Sequence, residues 1–131
     1  MKELIGTEKQ VAWAEEIRKG VMDCINEAYK IREAEWVEDG HEAYKEDSLM
    51  NVTRKELLNN IESLEKAADF IDTFRHVIPS KDKYDAFYKS ESFKIIDNYL
   101  SAKVNSNSKF SRALYAAQEY YEEKTLEDTL K

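Results

Sequence analysis

The chain has 131 residues, 36% of them charged, and carries a net charge of −7, with one proline and three glycines. So few turn residues exclude a many-stranded β protein. The acidity argues against non-specific duplex-DNA binding, which relies on Lys and Arg to neutralise phosphates. The length suits one helical domain over residues 1–131, large enough to bury roughly two-thirds of its unfolded surface.

Residues 1–6 form a short lead in which Leu4 and Ile5 can tuck under the helix that follows. That helix is expected over residues 7–36. Thr7 is a good N-cap and Gln10 stands three residues on, a capping box that satisfies two orphan amides. Val11, Ala14, Ile17, Val21, Cys24, Ile25, Ala28 and Ile31 recur at three- and four-residue steps and make one apolar stripe. Lys19, Asp23, Glu27 and Lys30 fall opposite. Trp13 and Gly20 share one edge of the stripe, so Trp13 is expected to be buried where Gly20 allows close approach. Arg18 projects between Ala14, Val21 and Ile25, and a charge there calls for a partner. Cys24, the single cysteine, reads as a core thiol in a reducing cytoplasm.

Segment 33–47 is the acidic part of the chain, with seven acids against Lys45 alone, a net −6. Gly40 is expected to lie in or beside the break after the first helix, and residues 38–50 to be the least ordered interior stretch. A second long helix is expected from Thr53, where Thr53 and Glu56 form a second capping box and Val52 and Leu57 its hydrophobic staple. Leu57, Ile61, Leu64, Ala68, Ile71 and Phe74 make its stripe. It should end near His76 or Val77, before Pro79. Ser80 can cap a short helix carrying Tyr84, Phe87 and Tyr88. Phe93, Ile96, Leu100 and Val104 give the next helix its face. The last helix, capped by Ser108, uses Phe110, Leu114, Ala117 and Tyr121, and residues 125–131 are expected to fray. The whole reads as an all-α antiparallel bundle of about five helices, two long and then three shorter. No apolar run approaches the ~20 residues of a membrane span, and the N-terminus lacks the apolar core of a signal peptide.

The segment Gly6-Thr-Glu-Lys-Gln-Val-Ala-Trp-Ala-Glu-Glu-Ile-Arg18 resembles the opening of small uncharacterised bacteriophage and mobile-element proteins, roughly G-S/T-x-K-Q-x-x-W-A-x-x-I-R. Phe70-Ile-Asp-Thr-Phe-Arg75 is similar to a second pattern of that group, with the arginine one residue later. The resemblance implies a mobile-element origin and a helical protein in the cytoplasm of a bacterial host; it brings no activity with it.

Several constellations bear on chemistry. Glu38-Asp-Gly-His41 has the E-x-x-H spacing of di-metal carboxylate bundles, but those need two such motifs plus two further carboxylates, and Gly40 takes this one off a helix. No metal or other cofactor is therefore expected. His76 can pair with Asp72 four residues earlier, an ordinary helical contact. Three isolated glycines cannot build a phosphate loop.

Two surfaces remain. Trp36, Glu38, Asp39, Glu42, Tyr44, Glu46 and Asp47, with Leu49 nearby, form a candidate docking surface for a basic protein partner. Lys81, Lys83, Tyr84, Tyr88, Lys89 and Lys94 interleave cations with aromatic platforms, the alternative of a single-stranded nucleic-acid surface. Residues 79–109 hold six lysines against four acids, a net +2. The first surface is preferred, because the aromatics of the second also serve as core residues and its lysines as their rim. The expectation is a non-enzymatic protein acting by protein–protein contact. Nucleic-acid binding is the runner-up, a helical enzyme comes third, and the oligomeric state stays open. Arg18 and Asp72 are a candidate ion pair setting the register of the two long helices.

Overall fold

The computed structural model describes residues 3–77, 90–101 and 107–130. Over that range the chain is all-α, with five helices and no strand: α1 Glu8–Glu38, α2 Leu49–Glu62, α3 Ala67–Phe74, α4 Ser90–Ser101 and α5 Asn107–Leu130. The expected short helix at 80–88 lies outside the described residues.

The first helix starts as its sequence dictates. The Thr7 side chain accepts from the Gln10 amide at 3.2 Å, and the Thr7 amide donates to the Gln10 side chain at 3.1 Å. Its buried stripe holds Ala14, Ile17, Val21, Cys24, Ile25, Ala28 and Ile31, joined by Arg18 and Tyr29. Tyr29 extends the expected set: it stands four residues after Ile25, on the same face. Helices α2, α3 and α5 all pack on α1, and α4 packs on α5. Leu57, Ile61, Phe70, Phe74, Ile96, Ala113, Ala117 and Tyr121 close a single hydrophobic cluster around the stripe. Full burial of one such large side chain stabilises by about 1.5–3 kcal/mol. Phe74 of α3 meets Tyr99 of α4 edge-to-face at 4.9 Å, a favoured aromatic arrangement.

The second helix departs from expectation at both ends. It is capped by Ser48, whose hydroxyl accepts from the Asn51 amide at 3.3 Å. Thr53 is not a cap. It is buried one turn inside α2, with its hydroxyl donating back to the Leu49 carbonyl at 2.7 Å. At the other end the helix stops at Glu62 instead of running on to residue 76 or 77. The cause is the N-terminal lead. The Ile5 amide donates to the Glu65 carbonyl at 2.8 Å, and the Ala67 amide donates to the Ile5 carbonyl at 2.9 Å. This one-residue parallel bridge replaces the helical bonds that would have carried α2 into α3. Gly6 permits the approach, since a Cβ there would stand 3.0 Å from the Ala67 Cβ. Leu4 is buried and Ile5 exposed, so only the first of the two tucks into the core. The long helices are consequently the first and the last, of 31 and 24 residues, not the first two. The last runs to Leu130 without a break at residue 125.

Two further expectations are corrected. Trp13 is 48% exposed, because the packed helices cover the stripe centred on Ala14, Ile17 and Val21, and Trp13 lies at its edge. Arg18 is buried and engaged, but not by Asp72. Once α3 is a separate helix with Ala67, Phe70 and Phe74 inward, Asp72 falls on its exposed side. Among the described residues no ion pair joins the two.

Candidate functional site

The acidic segment is held in place by the end of α1. Gly40 has φ +96, a conformation that favours a residue without Cβ. Around it the Gly40 amide donates to the Val37 carbonyl at 3.0 Å and the His41 amide to the Trp36 carbonyl at 3.3 Å. These two bonds make a Schellman stop, and such stops bring the second residue past the helix back onto its last turn. His41 accordingly stacks on Trp36, with ring centroids 3.7 Å apart and planes inclined by 14°. The chain then crosses toward α2. The Tyr44 amide donates to a Glu33 carboxylate oxygen at 2.7 Å, and the Asn51 side-chain amide donates to the Lys45 carbonyl at 2.7 Å. Segment 39–48 has no regular secondary structure, whereas Leu49 and Met50 of the expected stretch already belong to α2; the segment is tied to both neighbouring helices.

Between Trp36 and the start of α2 lies a cavity of about 660 Å³. Trp36, His41 and Tyr44 supply its rings, Leu49 and Met50 an apolar wall, and Glu42 and Asp47 carboxylates, with Arg32, Lys45 and Ser48 completing it. The Tyr44 ring lies 6.3 Å from Trp36 and is tilted by 35°. Burial pushes the Tyr44 phenol above its ordinary range; Arg32 works against this, and Glu33 and Glu35 add to it. Trp36, Val37, Leu49 and Val52 are all exposed at this end of the molecule.

Of the seven residues expected to form the docking surface, the fold brings Trp36, Glu42, Tyr44 and Asp47 to one cavity. Glu38 and Asp39 close α1 as its last residue and C-cap, exposed nearby. Glu46 is turned toward α2 by an ion pair with Lys55 at 3.6 Å. His41, Arg32 and Met50 were not anticipated there. His41 was legible in principle, because a glycine stop at 40 places residue 41 over residue 36.

A smaller hollow of about 210 Å³ lies on the far side of Tyr44, lined by Asn26, Tyr29, Lys30, Glu33, Asn51 and Arg54 as well. Arg54 donates to the Asn26 side chain at 3.0 Å across it.

Of the lysine-aromatic alternative, Lys81, Lys83, Tyr84, Tyr88 and Lys89 lie outside the described residues, and Lys94 is exposed on α4. No three His, Cys, Asp or Glu side chains converge to hold a metal ion among the described residues. No helix there is long and apolar enough to cross a membrane. Compared with protein-family models, curated proteins and solved structures, the chain gives no match in any of the three.

Proposed function

We propose that this chain is a non-enzymatic binding protein that docks a basic protein partner at the C-terminal end of α1. The observation that carries this is the cavity of about 660 Å³, walled by rings and aliphatic side chains, with the Glu42 and Asp47 carboxylates beside Arg32 and Lys45, in the segment where the chain's negative charge is concentrated. Capping accounts for the His41–Trp36 stack, but not for an open hollow beside it. Nor does it account for the exposure of Trp36 and Leu49, both lining the cavity, with Val37 and Val52 also exposed in the adjoining helix turns. Exposed apolar surface rimmed by polar groups is the mark of an interaction site. The charge selects the partner. Segment 33–47 carries a net −6, and the last turn of α1 contains no basic residue to offset the negative end of the helix dipole. A cationic surface would be drawn there and steered in at low salt. The resemblance of residues 6–18 to phage and mobile-element proteins fits a small protein acting on a bacterial host's own proteins.

The test is photo-crosslinking in bacterial lysate from a benzoyl-phenylalanine placed at Leu49. The expected products are adducts with basic proteins, weakened by salt and lost in Trp36→Ala and in Glu42→Lys/Asp47→Lys. Adducts unchanged by all three conditions would refute docking at this face.

A further inference from the structure

We infer that the group seated in this cavity is an arginine side chain of the partner, its guanidinium lying against the rings of Trp36 and Tyr44 and donating to Glu42 and Asp47. This rests on the docking role proposed above and adds the chemistry of the anchor. Three of the seven acids of segment 33–47 are already committed. Glu35 pairs with Arg32 at 3.5 Å, Glu46 with Lys55 at 3.6 Å, and Glu33 accepts from the Tyr44 amide at 2.7 Å. Glu42 and Asp47 have no hydrogen-bond or ion-pair partner among the described residues, and both line the cavity. Arg32 and Lys45 line it too; with Arg32 offset by its pair with Glu35, the two uncommitted carboxylates face one ammonium and the balance is one negative charge.

The ring geometry adds a second attraction. Indole and phenol faces draw cations by their quadrupole, indole most strongly. His41 covers one face of the Trp36 indole; the opposite face and the Tyr44 ring, 6.3 Å away and inclined by 35°, offer two such surfaces at an angle to each other. Leu49 and Met50 give an aliphatic wall along which a long methylene stem can lie while its charged head meets the acids. Among cations the guanidinium fits best. It is planar, weakly hydrated and stacks on aromatic faces, and its five N–H donors can satisfy two carboxylates at once. A lysine ammonium is compact and strongly hydrated. A trimethylated ammonium has no N–H to give the acids.

The experiment is a heteronuclear NMR titration of the full chain with N-acetyl-arginine methylamide, and with the lysine, trimethyl-lysine and citrulline analogues. The Trp13 indole N–H, remote in sequence and exposed on α1, is the internal control. Saturable millimolar binding of the arginine compound is expected, moving the Trp36 indole N–H and the amides of residues 41–49. The neutral citrulline analogue should bind about tenfold or more weaker. Glu42→Gln/Asp47→Asn, with helicity unchanged, should weaken arginine binding to a similar degree. Equal binding of arginine and citrulline, tighter binding of trimethyl-lysine, or no saturable shift would each overturn the assignment. If lysate adducts at Leu49 survive while arginine fails, the docking face stands and only the anchor's identity falls. If the adducts fail while the arginine compound binds saturably, the cavity's selectivity stands without the partner.

Discussion

Replacing Gly40 by alanine probes the stop that shapes the site. With φ at +96, an L side chain is strained whatever the room around it, and the room is ample: a Cβ there meets nothing within 4 Å. The cost is therefore backbone strain alone, about 1–2 kcal/mol. The chain could escape by fraying the end of α1. It would then lose the bonds from the Asp39, Gly40 and His41 amides, at 3.0, 3.0 and 3.3 Å. At about 0.5–1.5 kcal/mol net for each such bond, together with the Trp36–His41 stack, fraying costs as much as the strain or more. The strained stop should therefore persist. Urea denaturation should show a lower midpoint at unchanged slope, and Tm should fall by about 3–6 °C. The His41 ring protons should keep their ring-current displacement from Trp36. Gly40→Asn should cost less, because asparagine tolerates positive φ better. A stability change under about 0.5 kcal/mol for Gly40→Ala would refute the reasoning. So would loss of the His41 displacement, which would mean that the stop is weaker than its bonds suggest.

Four other outcomes are expected. The Tyr121 hydroxyl donates to Glu27 at 2.8 Å beneath α5, so Tyr121→Phe should cost about 1–2 kcal/mol, the low end for a bond to a carboxylate because Glu27 retains access to water. A double-mutant cycle with Glu27→Gln giving coupling near zero would contradict this. Burial, with Asp23 adding, pushes the Cys24 thiol from 9.0 up to about 12; this raised folded-state value stabilises the protein fully below pH 9, and the contribution is lost as pH rises from there toward 12. Stability should fall over that window by up to about 1.4 kcal/mol per pH unit, and Cys24→Ala should flatten the curve. Ser48→Ala should cost about 1 kcal/mol as a lost N-cap, whereas Thr53→Ser should leave the start of α2 unchanged in hydrogen exchange. Trp13→Ala should cost about 1 kcal/mol or less in the same urea assay, and a loss of about 3 kcal/mol or more would show a buried ring.

The sequence by itself determined what is local. The Thr7–Gln10 box, the α1 stripe and the stop at Gly40 depend on residues within a turn of one another, so periodicity and capping chemistry sufficed. The same locality made Trp36, Tyr44, Glu42 and Asp47 recognisable as a group. What tertiary structure decided are the places where a remote segment competes with a local preference. Thr53 has the chemistry of a cap, but a 1% exposed side chain inside α2 puts its hydroxyl on a carbonyl one turn back. Residues 57–74 carry a continuous helical stripe, but the backbone of Ile5 takes the bonds at Glu65 and Ala67 and splits them. That split turns Asp72 away from Arg18. Trp13 has the bulk of a core residue, and only the placement of α2, α3 and α5 on α1 shows that it lies outside the covered stripe. Glu27, read as solvent-facing, is half-buried because Tyr121 arrives from 94 residues away. The cavity likewise exists only because the Schellman stop and the Ser48 cap fold an acidic loop between two helix ends, leaving its rings and carboxylates around a space that periodicity cannot reveal.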